Sequence, residues 1–357
     1  MNSCKMSIQI MKRDSNIELL RIVAMILVLL VHANYFSLGS VDLSDITNYP
    51  IESFLKAFAE QLCIICVNVF ILISGWFGIR PSLKGALSLL FQVFFFHILI
   101  VIVAFFCGED ISLDILFGCF YFGKPYWFVP AYLVLYSVSP ILNAFISSVP
   151  PKIYMSVLLA FFVLEFAFGW ATNIAAFNGG YSAMSFIGLY LLAGFIRNYS
   201  IRILNISIYA NLLCYLICSV LPVLLLFVTK RNFNMLAYLS PFVVVSSVAF
   251  FLAFKKIKIS SVVINYLACS SFSIYLVHQH PIVYDYFIKL MNHMCFTLGG
   301  YCYTLVVIIL APVFALLCML LDKPRIIIWN WLCRVLLDRI LAKFNFLMDR
   351  LYSSLGD

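Results

Sequence analysis

Two ionisable side chains stand out by their spacing. Arg21 and His32 lie in the apolar run 17–38, IELLRIVAMILVLLVHANYFSL, where Glu18 is the only other interruption. Eleven residues at ~100° each return to within ~20° of three full turns, so both project from one helix face, ~16 Å apart along the axis. A guanidinium holds phosphate or carboxylate, and a neutral imidazole takes up a proton. Ionisable groups are costly inside a span, so each is a functional-site candidate, and a neutral His32 is available as a general base. Plainer readings stand beside this one. Arg21 can snorkel as an inner-face cation, paired with Glu18 one turn away, and His32 can simply hydrogen-bond between helices.

The elements that must carry these groups are membrane spans. Of the 357 residues, 64% are hydrophobic and only 11% charged, with a mean hydropathy of +1.06. Apolar runs near ~20 residues, enough to cross the hydrocarbon layer, recur from end to end. This excludes a soluble domain, and no alternating pattern suggests a barrel. The expected fold is all-α: a polytopic transmembrane helical bundle of about ten spans. They fall near 17–38, 54–79, 86–107, 126–147, 153–172, 183–196, 206–228, 237–254, 262–287 and 301–321. The stretch 115–125, ILFGCFYFGKP, is too short to cross and reads as interfacial or re-entrant.

Loop charge gives a direction. With a cytoplasmic N-terminus, eighteen of the 23 Lys and Arg fall inside and only Lys56, Lys124, Lys230, Arg231 and Lys289 outside. Such a bias orients the bundle with both ends cytoplasmic, and it accounts for the net charge of +8 without nucleic acid. The leader carrying Lys5, Lys12 and Arg13 resembles a signal anchor. Two units are expected: a transmembrane domain over 1–322 and a cytoplasmic tail over 323–357. The tail mixes apolar and basic residues at helical spacing, with Trp329 and Trp331, as an amphipathic helix on anionic lipid does. An oligomer interface is the alternative for it.

Other intramembrane polar groups were weighed the same way. His97, alone among phenylalanines, reads as an interhelical contact. Glu165 is a lone carboxyl, either protonated and structural or the partner of a buried cation. His278 and His280 end the SSFSIYLVHQHP stretch, where Pro281 frees a backbone carbonyl. Of these, His278 reads as functional and His280 as neutral; His293 falls in a loop. Cys63 and Cys66 form CIIC inside a span, where thiols behave as small hydrophobes. The sequence holds no HExxH, no GxSxG, no glycine-rich phosphate loop and no metal-ligand cluster.

Four segments, in order, resemble the acyltransferase 3 family of integral membrane acyltransferases. The first is the opening helix with Arg21, ten residues and His32. VNVFILISGWFGI (67–79), with Ser74, Gly75 and Trp76, is similar to the family's "FFxLSGF" segment. YWFVPAYLVLYSVSPIL (126–142) resembles its "WFLxALxxLYLxxPIL" stretch with Trp127, Tyr136 and Pro140. SSFSIYLVHQHPI (270–282) resembles the late "SxxIYLxHxPI" segment with Tyr275 and His278. The resemblance spans about residues 14–320.

The resemblance implies an acyl-CoA-dependent transferase of a bacterial inner (plasma) membrane. It would move an acyl group, most often acetyl from acetyl-CoA, to a hydroxyl of a surface polysaccharide or lipid-linked glycan, with no tightly bound cofactor and no metal. The family's essential Arg and His fall on Arg21 and His32. Arg80 and Lys84 stand near the place of its basic pair, at a different spacing, and suit anionic groups. Trp127, Tyr136, Tyr275 and His278 would line or brace the cavity. Where many relatives carry acidic residues after the middle Trp, this chain has FVPAYLVL, closer to branches that act alone or on lipid-linked glycans. The expected mechanism has His32 as general base and Arg21 on CoA phosphate, with a covalent acyl-histidine left open. A glycan or lipid flippase without covalent chemistry is the rival reading.

Overall fold

The computed structural model describes residues 13–121, 126–199, 205–231, 234, 236–338, 340 and 342, and every regular element among them is helical. Helix α1 (Ser15–Val31) passes directly into a π turn, His32–Phe36. A short helix α2 (Leu43–Asn48) follows, opened by a capping box between Asp42 and Asp45. Next come α3 (Pro50–Cys63) and α4 (Cys66–Phe77), separated only by Ile64 and Ile65. Then follow α5 (Leu83–Phe106), α6 (Leu113–Tyr121), α7 (Phe128–Ser148), and α8 (Pro151–Leu164) with its π turn Glu165–Trp170. The chain continues with α9 (Ala183–Asn198), α10 (Ile208–Thr229), α11 (Pro241–Lys255), α12 (Val262–Ala268), α13 (Phe272–His278), α14 (Pro281–Leu298) and α15 (Gly300–Leu332).

The helix starts are written in the sequence. Proline, whose missing N–H costs nothing in a first turn, opens α3, α8, α11 and α14. Serine side chains cap α5, α9, α10 and α12 by accepting from the backbone N–H three residues on. Such satisfaction matters most in lipid, where no water replaces a missing partner.

Among the described residues, seven helical stretches are long and apolar enough to cross a bilayer: Ser15–Phe36, Pro50–Phe77, Leu83–Phe106, Phe128–Ser148, Pro151–Trp170, Ile208–Thr229 and Gly300–Leu337. Two shorter apolar helices, α9 and α11, and the broken segment formed by α12 and α13 occupy the remaining expected positions. The ninth expected span, 262–287, is therefore not one helix. It breaks at Cys269–Ser271 and again before Pro281, which holds His280 in an extended conformation (φ −61°, ψ 132°). His293, expected in a loop, stands on α14 and is exposed. Helix α6 covers most of the stretch expected to be interfacial, while Lys124 lies outside the described residues. So do Lys5, Lys12, Arg202, Arg339, Lys343 and Arg350. Helix α15 runs unbroken past residue 323 and carries Trp329 and Trp331; most of the tail beyond it lies outside the described residues.

The segment ends gather at two poles. At one, Asn16 donates to the carbonyls of Phe254 and Lys255 (3.1 and 3.2 Å), Arg197 donates to Trp76 O (2.8 Å), and Lys84 pairs with Asp338 (2.7 Å). At the other, Asn34 donates to Lys56 O (3.2 Å), Trp170 to Asn234 O (3.3 Å), and Tyr286 to Glu109. Residues before the first segment and after the second, sixth, eighth and tenth thus share one pole. Those after the first, third, fifth and seventh share the opposite one.

Helices α3 and α4 form the centre. In Pro50–Phe77, 72% of the most apolar window is buried, against 22% for Phe128–Ser148, whose outer faces are left for lipid. Gly75 lets α4 and α9 touch: a Cβ there would sit 2.4 Å from Tyr190 O. Three residues on, Gly78 turns the chain with φ +75°, a conformation glycine adopts freely. Tyr190 and Asn143 then hold this turn, Tyr190 Oη accepting from Ile79 N (2.8 Å) and Asn143 Nδ2 donating to Ile79 O (2.7 Å). The "SGWFG" segment is in this way a helix crossing followed by a clamped turn.

Candidate active site

Helix α1 is regular from Ser15 to Val31, so the register that places Arg21 and His32 on one face holds up to His32. The π turn begins at His32 itself. It is pinned from several sides: Ser37 Oγ donates to His32 O (2.7 Å), Tyr303 Oη to Ala33 O (2.6 Å), and Lys56 Nζ to Leu38 O (3.2 Å). Extra-residue turns of this kind recur at functional sites because they re-aim one side chain without unwinding the helix.

The partners of His32 come from the break between α13 and α14. His32 Nδ1 lies 2.9 Å from His278 Nε2, and His278 Nδ1 lies 2.6 Å from the carbonyl oxygen of Ile274. A carbonyl only accepts, so His278 Nδ1 carries a proton. With both rings neutral, His278 Nε2 is then an acceptor and His32 Nδ1 the donor. The chain of bonds ends at His32 Nε2 with a lone pair. That is the arrangement of a general base whose tautomer and ring angle are set by a second group.

Gln279 completes the cluster, its side-chain amide nitrogen 3.2 Å from both ring nitrogens of His32. Equidistant from the two nitrogens, the amide lies against the ring and leaves the in-plane Nε2 lone pair open. The rings of Phe36 (centroids 4.7 Å) and Tyr284 (6.2 Å, edge-on) flank the imidazole. His278 is fully buried and His32 partly so. An amide within reach of both the base and a bound substrate can hydrogen-bond the oxygen that gains charge during acyl transfer.

A second imidazole pair lies alongside. His280 Nε2 is 3.1 Å from His97 Nδ1, and His97 Nε2 is 3.2 Å from Leu116 O. By the same reasoning His97 donates to Leu116 and accepts from His280, which ties the Pro281 break to α5 and α6. The interhelical reading of His97 describes this contact.

The remaining sequence-derived residues fall in three places. Tyr275 is buried beside His278 (6.1 Å between centroids) and packs on Phe128 and Phe272. Trp127 stands at the start of α7 against Tyr181 (4.5 Å) and Tyr238 (6.0 Å). Tyr136, Arg80 and Lys84 belong to the opposite pole. Tyr136 Oη accepts from Ser82 N (2.8 Å) and donates to Ser82 O (3.1 Å), so it braces the turn that carries the two cations. Arg80 is exposed there, while Lys84 is engaged by Asp338. Arg21, side chain 35% exposed, lies 3.8 Å from Glu18, which also meets Arg13 at 3.5 Å.

Sequence reasoning missed Gln279 and Tyr284. The polar VHQHP string ahead of a proline was the available signal for the first; nothing marked the second. It also missed a buried pair at the Arg21 pole: Arg325 grips both oxygens of Asp322 (2.8 and 2.7 Å), and Gln92 donates to the same carboxylate (3.1 Å). Among the described residues no three His, Cys, Asp or Glu side chains are placed to hold a metal ion. Cys63 and Cys66 are buried free thiols.

The fold and site define a helical membrane protein with a histidine cluster among its apolar helices, and the sequence comparison gives the family. The family profile described as an acyltransferase domain matches residues 14–323. The chain belongs to the acyltransferase 3 family, and it is a membrane acyltransferase. No curated protein and no solved structure matches it.

Proposed function

We propose that the protein moves an acyl group, acetyl in the first instance, from cytoplasmic acyl-CoA to a hydroxyl of a surface polysaccharide or lipid-linked glycan. The observation that carries this reading is the hydrogen-bond chain from Ile274 O through His278 to His32, which leaves Nε2 as the base. In the proposed step, His32 Nε2 takes the proton of the acceptor hydroxyl as its oxygen attacks the thioester carbonyl. The tetrahedral intermediate collapses, the C–S bond breaks, and the imidazolium returns the proton to the departing CoA thiolate. An ester and free CoA–SH result. Base assistance of this kind supplies roughly 10²–10⁴-fold. Gln279 donates to the developing oxyanion, and His278 holds the tautomer.

The pole that carries Arg21, Arg80, Lys84, Arg197 and Lys255 is assigned to the cytoplasm by the positive-inside bias. Arg21 and Arg80 are the groups that would meet CoA phosphates, with Lys84 joining when Asp338 releases it. In this account acyl-CoA is a co-substrate and no bound cofactor or metal takes part. The acceptor reaches His32 from the other pole. The placement fits a multi-pass protein of a bacterial inner membrane, in contact with lipid along α7, α10 and α15.

The test is mass spectrometry of surface glycans from cells with and without the gene. The expected result is a base-labile acetyl ester present only with the protein. Unchanged glycan masses together with altered glycan export would replace this reading with a flippase.

A further inference from the structure

We propose that the cavity at the pole opposite Arg21 is the acceptor subsite and takes one sugar ring, with Glu60 fixing a ring hydroxyl. This rests on the acyl-transfer reading and names the part of the molecule that selects the acceptor. The cavity has a volume of about 340 Å³, at the small end of ligand sites. Its rim is exposed and carries Phe36, Asn173, Asn178 and Asn234, and its floor is buried and carries Val31, Glu60 and Ile64. Tyr35, Trp170 and Tyr181 form walls between them.

Glu60 is the observation that points to a ligand. It is 3% exposed, and its Oε1 has no hydrogen-bond partner. A buried carboxyl oxygen left open is costly, and a polar ligand removes that cost. Lys56, one turn earlier on the same helix, acts on Glu60 only through its charge: its Nζ donates to Leu38 O, and no donor reaches Glu60 Oε1. Among the described residues no cation lines the cavity, which argues against a phosphate. The floor carboxyl of Glu60 and the amide rim argue against an acyl chain. Aromatic faces with amides and one carboxyl match a ring that is apolar on its C–H face and hydroxylated at its edge.

The three rim asparagines sit in the left-handed region (Asn173 φ 51°, Asn178 φ 45°, Asn234 φ 51°), which asparagine tolerates better than other side-chain-bearing residues. Tight turns therefore present them. The cavity also adjoins the chemistry: the Phe36 ring on its rim packs at a tilt against His32, 4.7 Å between centroids, and Val31 on its floor is the residue before His32. Trp127 backs the wall through Tyr181 at 4.5 Å. A hydroxyl of a ring held here would be offered to His32 past Phe36.

The experiment uses the full chain in lipid nanodiscs, with labelled acetyl-CoA and two acceptor forms, soluble methyl glycosides and the same sugars on a polyprenyl diphosphate. Glu60→Gln and Trp170→Leu are expected to raise the acceptor KM about tenfold or more and to leave the acetyl-CoA KM within about twofold. Asn173→Gly, at the exposed rim, keeps the left-handed backbone and gives a milder rise in the same direction. Both acceptor forms responding assigns the subsite to the ring itself; response only with the carrier-linked form assigns it to a ring held by its lipid. An unchanged acceptor KM in all three variants, with transfer intact, overturns the subsite and leaves the transfer reading standing. Should the wild-type chain transfer nothing, binding decides. Methyl glycosides that quench tryptophan fluorescence of wild type but not of Trp170→Leu support the cavity as a sugar site, and equal response in both overturns it.

Discussion

Replacing His278 by alanine takes away the acceptor of His32 Nδ1–H and leaves His32 itself in place. A purely structural His278 would lower the yield of folded protein and leave the turnover of what folds unchanged. An orienting His278 lowers kcat with little change in either KM, by about 10²–10⁴-fold, the span over which base catalysis and tautomer control act. Steady-state kinetics on purified His278→Ala separates the two. Gln279→Ala is expected to cost about 10²-fold in kcat if its amide meets the oxyanion, again with acceptor KM unchanged. At this scale the sequence showed half of the site. His32 was visible because an ionisable group in an apolar run is costly, and eleven-residue spacing is a property of one helix. His278 was read as functional, but its contact with His32 was not legible, because residues 246 apart meet only through the fold, and Gln279 in a polar string carries no such signal.

Two elements hold this geometry, and each can be broken singly. The α4–α9 crossing depends on Gly75, where a Cβ would meet backbone atoms of Tyr190 at 2.4 and 2.9 Å. Gly75→Val is therefore expected to destabilise the bundle by about 1–3 kcal/mol through overpacking, read as a lower unfolding temperature in detergent. The α15–α5 contact depends on Asp322, whose carboxylate holds Arg325 and Gln92 in a buried site. Asp322→Ala leaves that guanidinium uncompensated and is expected to cost about 3–5 kcal/mol. Asp322→Leu combined with Arg325→Met should recover much of the loss, since the pair is then removed together. Element positions were legible from apolar length and from Pro and Ser caps. The break inside 262–287 was not, although Pro281 marked one of its ends. An uninterrupted hydropathy signal does not distinguish one tilted helix from two short ones joined at a turn.

For the whole molecule, the two poles and the charge bias make a statement about sidedness that native thiols can test. Cys107 and Cys302 are exposed and lie toward the pole that holds the cavity. A membrane-impermeant maleimide added to intact cells is expected to label them, and Cys107→Ser with Cys302→Ser to abolish the labelling. Lys258→Cys in that background should then react only after permeabilisation. An expectation of sidedness can be read from the sequence because Lys and Arg placement is a linear property of the chain. The cavity was not, because its lining is drawn from four separate stretches of sequence. The central claim is chemical, that His32 is the base of an acyl transfer across this bundle. It is tested most directly by following label from acetyl-CoA into glycan in membranes containing equal amounts of wild-type protein and His32→Ala. The account predicts transfer by the wild type and a loss of at least about 10²-fold in the variant. Transfer by His32→Ala at the wild-type rate would contradict it.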